Sequence, residues 1–110
     1  LEFAWKAVKH LKSNAIILVK DMSIIGVGVG QPNRLSSVHL ALRTAGDKSI
    51  GAVMASDAFL PFSDNVDLAV KGGITAIVQP GGSIRDGEVV KAADHNNISM
   101  LFTNSRHLKH

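Results

Sequence analysis

The amino-acid sequence predicts an α/β fold, a three-layer α-β-α sandwich around a mixed sheet, formed as a single domain over residues 1–110. Hydrophobic residues make up 45% of the chain and charged residues 19%, which is typical of a globular domain. In the second half, apolar runs of strand length alternate with helical patterns, which favours parallel strands joined by right-handed crossovers. In the first half, two apolar runs flank a short turn and predict a β-hairpin, so the sheet should be mixed.

The elements follow in order from the spacing of apolar residues and from the turn residues between them. The hairpin turn is expected at Lys20–Ser23. Asp64 is expected to cap the helix after the long polar loop, and Gly72-Gly73 to end that helix. The predicted helices cover residues 2–13, 34–45, 64–71 and 86–95, and the predicted strands cover residues 15–19, 24–29, 51–55, 74–78 and 98–102.

The composition argues against several classes of protein. The chain has no cysteine, which excludes a disulfide scaffold, a Cys-ligated zinc site and a thiol nucleophile, and a reducing, cytoplasmic compartment is expected. The formal net charge of +3 is small and the basic residues are largely spread, so no nucleic-acid partner is expected. No apolar run approaches the roughly 20 residues of a membrane span. The opening Leu1-Glu2-Phe3 is typical of mid-protein sequence, so we expect a piece of a longer chain.

Three alternate glycines, Gly26, Gly28 and Gly30, invite comparison with a dinucleotide-binding turn. That turn has the spacing G-x-G-x-x-G between a strand and a helix, whereas this segment reads G-x-G-x-G and continues into Gln31-Pro32. We therefore interpret the glycines as part of a strand that packs closely against another element or a ligand.

Two loops that follow predicted strands contain candidate ligand-binding residues. Arg34 lies at the start of a helix. It either forms an anion or carbonyl site with free backbone N–H groups or is a solvated side chain beside a capping Asn33. The segment 56–65 places two phenylalanines and a proline in a polar loop, and such loops at strand ends of open α/β sheets bind ligands. Its candidate lining residues are Phe59, Pro61 and Asp64.

The other polar residues do not indicate which reaction, if any, the chain catalyses. Asp57, Asp64 and Asp67 lack a recognised metal-ligand spacing, and the last two suit the start of a helix. The glycine-containing loop at residues 80–86 is expected at the same edge of the sheet, as a tight turn, a loop that approaches a ligand, or both. The basic tail is either frayed or folds over the same site and presents Arg106 to a phosphate. No Ser/His/Asp set, phosphate-binding loop or zinc-binding histidine pair identifies a chemistry.

Five ordered blocks together resemble one known family. The blocks are Ala4–His10 with Lys12–Ala15, Gly26–Gly30 with Gln31 and Arg34, Ala55–Phe59 with Pro61-Phe62, Gln79–Asp86, and Arg106-His107 with His110. Over residues 1–110 the chain is similar to the C-terminal part of the bifunctional purine-biosynthesis enzymes, the AICAR transformylase/IMP cyclohydrolase family.

The resemblance implies transfer of a formyl group from the co-substrate 10-formyltetrahydrofolate to the 5-amino group of AICAR, and IMP cyclohydrolase activity in the whole enzyme. It implies a cytidine-deaminase-like fold without the deaminase zinc, this chain being the C-terminal lobe of the transformylase region. It also implies a cytoplasmic homodimer whose transformylase site forms between subunits. The expected partners are AICAR and a reduced folate, with no metal, nucleic acid or membrane.

By motif position, the resemblance also implies site residues. Asn14 would lie near the reacting groups as the catalytic residue, and Arg34 and Arg106 would bind the nucleotide substrate. The implied folate-binding residues are Leu35, Phe59, Pro61, Phe62, Asp64, Asn65 and Ser83.

The chain departs from the family pattern in ways that bear on activity. Leu60, Ser63 and Leu108 stand where a phenylalanine, a basic residue and a phenylalanine are usual. The family's catalytic Lys-His pair lies in the first transformylase lobe, and Lys9-His10 does not match its motif, so this chain alone is expected to bind but not to turn over. The alternative is a non-catalytic nucleotide- or anion-binding module. It would keep Arg34 and Arg106 but would not need an acid beside two phenylalanines.

Overall fold

A computed structural model describes residues 3–4, 15–31, 33–57, 63–80 and 86–103, with Ser63 and Asp86 described by their backbone alone. Of the helix predicted over residues 2–13, Phe3 and Ala4 are helical, and the remainder lies outside the described residues.

Five strands and three helices alternate along the described chain. The strands are β1 Ile16–Lys20, β2 Ser23–Gly28, β3 Val53–Ser56, β4 Ala76–Gln79 and β5 Ser99–Phe102, and the helices are α1 Arg34–Ala45, α2 Ser63–Lys71 and α3 Asp86–His95. The sheet order is β2-β1-β3-β4-β5. β1 is antiparallel to both of its neighbours, whereas β3, β4 and β5 are parallel. The predicted α/β class, mixed sheet and first-half hairpin are therefore confirmed.

The three helices pack on one face of the sheet. After β2 the chain adds β3, β4 and β5 in order toward one side of the sheet. Because each of these connections is right-handed and runs in the same direction, all the connecting helices lie on the same face. A continuous core joins the helices to alternate strand residues. Its fully buried members include Val38, Ala41, Val66, Ala69 and Val89 from the helices and Ile16, Leu18, Met54 and Ile77 from the strands.

The opposite face of the sheet carries the other set of strand residues. Ile17, Ala55 and Val78 are fully buried there and belong to a second cluster that includes the helical residue Ala4. Helical backbone thus contacts both faces, and this arrangement is the layered sandwich that the sequence predicts. The alternation of buried residues along β1 is what allows one strand to serve both cores.

Two of the three alternate glycines, Gly26 and Gly28, are explained by close packing of α1 on β2. A Cβ on Gly28 would overlap the carbonyl oxygen of Ser37, and a Cβ on Gly26 would overlap that of Ala41. In the same contact the Val27 N–H donates to Thr44 Oγ1 at 3.1 Å. The helix therefore lies on the strand where a side chain would otherwise stand, and the interpretation as a packing feature is confirmed for Gly26 and Gly28. Gly30 lies after β2 with φ of 70°, and a Cβ there would meet no atom within 4 Å, so packing does not explain it.

Some predicted boundaries are wrong by one or two residues. α2 begins at Ser63, so Asp64 lies in its first turn and is not the cap. β3 begins at Val53 because a 3₁₀ helix, Gly46–Ser49, and a turn at Gly51 with φ of 83° precede it. This 3₁₀ helix has no apolar periodicity of its own and was not predicted.

Candidate functional site

The candidate site lies along the edge of the sheet where β2, β3, β4 and β5 end and where the antiparallel β1 begins. All the loops that the sequence marked as candidates leave from this edge. Two hydrogen bonds extend the sheet there: the Asp57 N–H donates to the Ala15 carbonyl at 3.2 Å, and the Thr103 N–H donates to the Gln79 carbonyl at 2.9 Å. In open α/β sheets this is the edge at which ligands bind.

Arg34 and Asp57 form an ion pair at the centre of this edge. Nη1 of Arg34 donates to Oδ1 of Asp57, and the two side chains are only 10% and 14% exposed. The same oxygen accepts a hydrogen bond from the Ala15 N–H at 3.2 Å. One carboxylate therefore ties together the start of α1, the start of β1 and the end of β3.

Asn33 determines where α1 starts and thus where Arg34 lies. Its backbone is extended, with φ of −147° and ψ of 168°, and its side-chain oxygen accepts from the Ser36 N–H at 2.8 Å. The predicted capping role of Asn33 is confirmed. The accompanying interpretation of Arg34 as a solvated side chain is wrong, because its guanidinium is largely buried against Asp57.

Three predicted folate-binding residues lie among the described residues. Leu35 follows Arg34 in the first turn of α1 and is half-buried. Asp64 is exposed in the first turn of α2, and the Asn65 side chain, only 1% exposed, donates through Nδ2 to Asp64 Oδ1 at 3.3 Å. An exposed carboxylate braced by a buried amide is a suitable acceptor for ligand N–H groups.

The other predicted site residues lie outside the described residues. They are Asn14, Phe59, Pro61, Phe62, Ser83 and Arg106. Each is attached to a described anchor by the chain itself: Asn14 precedes Ala15, the phenylalanines lie between Asp57 and α2, and Arg106 follows the end of β5. Their roles remain predictions.

Sequence reasoning missed Asp57 as the partner of Arg34. The sequence marks Asp57 as a possible metal ligand and as part of one family block, and a pair separated by 23 positions leaves no periodic signal. Gln79 also has no individual role in the sequence predictions, yet it is fully buried at the end of β4 and contacts Met100 Sδ through Nε2 at 3.3 Å. Both are polar residues at the carboxyl end of a strand: Gln79 ends β4, and Asp57 follows Ser56, which ends β3.

The cavities in the described part of the molecule include one away from the site and one beside α1. A cavity of about 250 Å³ is at the opposite edge of the sheet, away from the site; its lining includes Lys20, Asp21, Met22, Gly51 and Val53. A second, of about 360 Å³, runs beside the first turns of α1 and is lined by Gln31, Ser36, His39, Leu40 and Arg43. The second is adjacent to the start of α1, where Arg34 lies, and it is polar.

The described residues contain no group of three or more His, Asp or Glu side chains placed to hold a metal ion. None of their helices has the length and apolar character needed to cross a membrane.

Comparison with known proteins identifies the relatives of this chain. Residues 1–44 match the model of the family described as AICARFT/IMPCHase bienzyme. The whole chain is 59% identical to the bifunctional purine biosynthesis protein PurH of Desulfitobacterium hafniense (strain DSM 10664 / DCB-2) and 58% identical to that of Thermoanaerobacter sp. (strain X514). The resemblance to the AICARFT/IMPCHase bienzyme family is confirmed.

The match to these bienzymes covers a part of their length. The chain spans 21% of the D. hafniense protein and 22% of the Thermoanaerobacter protein. At the level of structure, RibD of Acinetobacter baumannii (form 1) aligns with a TM-score of 0.64 at 23% identity, covering 92% of this chain and 32% of the RibD chain. That likeness supports the expected α/β fold.

Proposed function

We propose that this chain is the C-terminal lobe of the AICAR transformylase region of a bifunctional purine-biosynthesis enzyme. The observation that carries the proposal is the convergence at one sheet edge. The loops that contain the predicted nucleotide- and folate-binding residues all leave from the edge at which Arg34 and Asp57 are paired. The 59% identity to a PurH protein across the whole chain supports the same function.

Formyl transfer defines what such a lobe must do. The 5-amino nitrogen of AICAR forms a bond to the formyl carbon, the bond from that carbon to the folate nitrogen breaks, and the amine proton passes to the departing tetrahydrofolate. The reaction needs the amine held against the carbon and a proton relay. In this proposal Asn14 orients the reacting groups, and the relay lies elsewhere in the longer polypeptide.

The described residues fit a reduced folate as the co-substrate. The exposed Asp64 carboxylate, braced by Asn65, offers acceptors for the N–H groups of a pterin ring. The adjoining loop supplies Phe59, Pro61 and Phe62 as apolar walls for a flat ring. The proposed enzyme is a cytoplasmic homodimer that also has IMP cyclohydrolase activity, and the upstream lobe and the cyclohydrolase domain lie outside these 110 residues.

The alternative of a simple anion-binding module is less well supported. Both hypotheses use Arg34 and Arg106, so these residues do not separate them. A site made for an anion has no use for the Asp64 carboxylate, whereas a pterin ring does.

A chimeric enzyme tests the proposal. Residues 1–110 replace the matching segment of the D. hafniense PurH protein, and formyl transfer from 10-formyltetrahydrofolate to AICAR is measured. We expect activity, and we expect Asp64→Ala to raise the KM for the folate about 10- to 100-fold, the equivalent of about 1.5–3 kcal/mol for a hydrogen bond to a charged group.

The matched control is Asp94→Ala, which removes an exposed acid near the end of α3. It should leave both KM values unchanged. An inactive but folded chimera that still binds inorganic phosphate would favour the anion-binding module. An active chimera in which Asp64→Ala behaves like the control would reject the pterin role of Asp64.

A further inference from the structure

Asp57 is placed to control the geometry of the site without being one of its predicted ligand-binding residues. Its Oδ1 accepts from Arg34 Nη1 and from the Ala15 N–H, and its own N–H donates to the Ala15 carbonyl. Asp57 thus contacts the residue directly after Asn14 through two hydrogen bonds and contacts Arg34 through an ion pair. Arg34 is a predicted substrate-binding residue, and Ala15 directly follows Asn14, the predicted catalytic residue.

Burial holds the Arg34 guanidinium and the Asp57 carboxylate together in one arrangement. The side chains of Arg34 and Asp57 are 10% and 14% exposed, so little water is available to replace either partner. A charged group buried without its partner is strongly disfavoured, which holds the guanidinium against the carboxylate. A guanidinium also has five donors in a rigid planar fork, so a carboxylate on one nitrogen restricts where the other donors point.

We propose that Asp57 is a positioning residue for nucleotide binding, an inference that rests on the proposed function. Its carboxylate orients the Arg34 guanidinium toward the substrate and fixes the backbone at Ala15, the residue that follows Asn14 in the sequence. Asp57 acts through these two neighbours and contacts no substrate itself.

The substitution Asp57→Asn separates positioning from structural support. The amide oxygen of asparagine can still accept from the Ala15 N–H, so the connection between β1 and β3 is kept. The attraction for the guanidinium is weakened because the negative charge is gone. In the chimeric enzyme we expect the KM for AICAR to rise roughly 10- to 100-fold, the effect of a binding group displaced by about 1 Å. The KM for the folate should change less than about twofold.

A double-mutant cycle with Arg34→Gln tests whether the two residues act as a unit. Once Arg34 is replaced, Asp57→Asn should add less than about a twofold effect on the KM for AICAR. The control Asp94→Asn should have no effect in either background. Equal effects of Asp57→Asn with and without Arg34 would overturn the proposal, and so would an unchanged KM for AICAR.

Thermal unfolding of each variant distinguishes positioning from general loss of structure. A lower midpoint, together with parallel changes in both KM values, would assign Asp57 a structural role and overturn the proposal. Should Asp57→Asn fail to fold, Asp57→Glu keeps the charge and moves it by one methylene. A raised KM for AICAR in that variant supports positioning, and an unchanged one rejects it. Absence of formyl transfer in the unmodified chimera would instead reject the proposed function.

Discussion

Asn33 and Arg34 are adjacent at the start of α1, where the first caps the helix and the second forms an ion pair with the sheet. Asn33 accepts from the Ser36 N–H at 2.8 Å and so satisfies one of the free donors of the first turn. Arg34 turns toward the sheet and pairs with Asp57. The cap therefore sets the position from which the arginine reaches the carboxylate, and local helix chemistry supports the geometry of the site.

Replacing the cap should weaken this arrangement. We expect Asn33→Ala to lower the free energy of unfolding by about 1 kcal/mol, the usual value of a lost side-chain cap. Asn33→Asp should keep the stability, because aspartate also caps and the first turn of α1 has no acidic residue. Urea unfolding of the two variants beside the unsubstituted chain measures both values. Equal losses in the two variants would contradict the capping explanation.

The hairpin turn contains a residue that is poorly suited to its backbone. Asp21 and Met22 have φ of 53° and 60°, so both central positions are left-handed, as in a type I′ turn. Aspartate tolerates this conformation, whereas methionine does so only at a cost.

Glycine at this position should therefore stabilise the hairpin. We expect Met22→Gly to raise the free energy of unfolding by about 1 kcal/mol, because glycine adopts the left-handed conformation without steric penalty. Met22→Ala is the matched control: it removes the same exposed side chain but keeps a Cβ, and it should give no gain. A similar gain from both variants would show that side-chain exposure, and not the backbone, is responsible.

At the scale of elements, the contact of α1 with β2 leaves no room for a side chain at Gly28. We expect Gly28→Ala to lower the free energy of unfolding by about 1–3 kcal/mol, because the new methyl group would overlap the Ser37 carbonyl and force the helix away from the strand. Gly87→Ala provides the control, since a Cβ there meets no atom within 4 Å. It should be neutral or stabilising by up to about 1 kcal/mol. Chemical denaturation decides between a packing effect confined to Gly28 and a general effect of replacing glycine.

Most helices and strands could be predicted from local patterns. α1 and α3 have the bounds that apolar spacing predicts, because each presents one apolar stripe to the sheet and begins or ends beside a polar or capping residue. The 3₁₀ helix at Gly46–Ser49 could not be predicted. It is held by contacts that sequence spacing does not encode, such as the hydrogen bond from Ser49 Oγ to the Gly72 carbonyl at 2.6 Å.

The candidate site was predictable only in part. Strand order places the candidate loops at one edge, and the sequence analysis anticipated that convergence from the alternation of strands and helices. The pairing of Arg34 with Asp57 was not anticipated, because it depends on β1 lying between β2 and β3. In this strand order the end of β3 lies beside the start of β1, and Asp57 is within reach of Arg34 at the start of α1.

At the scale of the whole molecule, the sheet has outer strands on which apolar side chains are exposed. Ile24 on β2 is 49% exposed and Leu101 on β5 is 46% exposed. Both strands are outermost in the described sheet and have backbone groups facing away from it. Such strand edges readily pair with another chain.

We therefore expect the isolated 110-residue chain to self-associate with increasing concentration. The substitution Leu101→Lys should weaken that association, because a charge on an outer strand opposes edge-to-edge pairing. Ile50→Lys is the matched control: Ile50 is more exposed, at 63%, but lies in a turn before β3 and offers no strand edge. Sedimentation velocity over a concentration series measures all three proteins. A monomer at every concentration would mean that these edges are protected within the chain itself. Equal effects of the two lysines would point to general charge repulsion and away from pairing through β5.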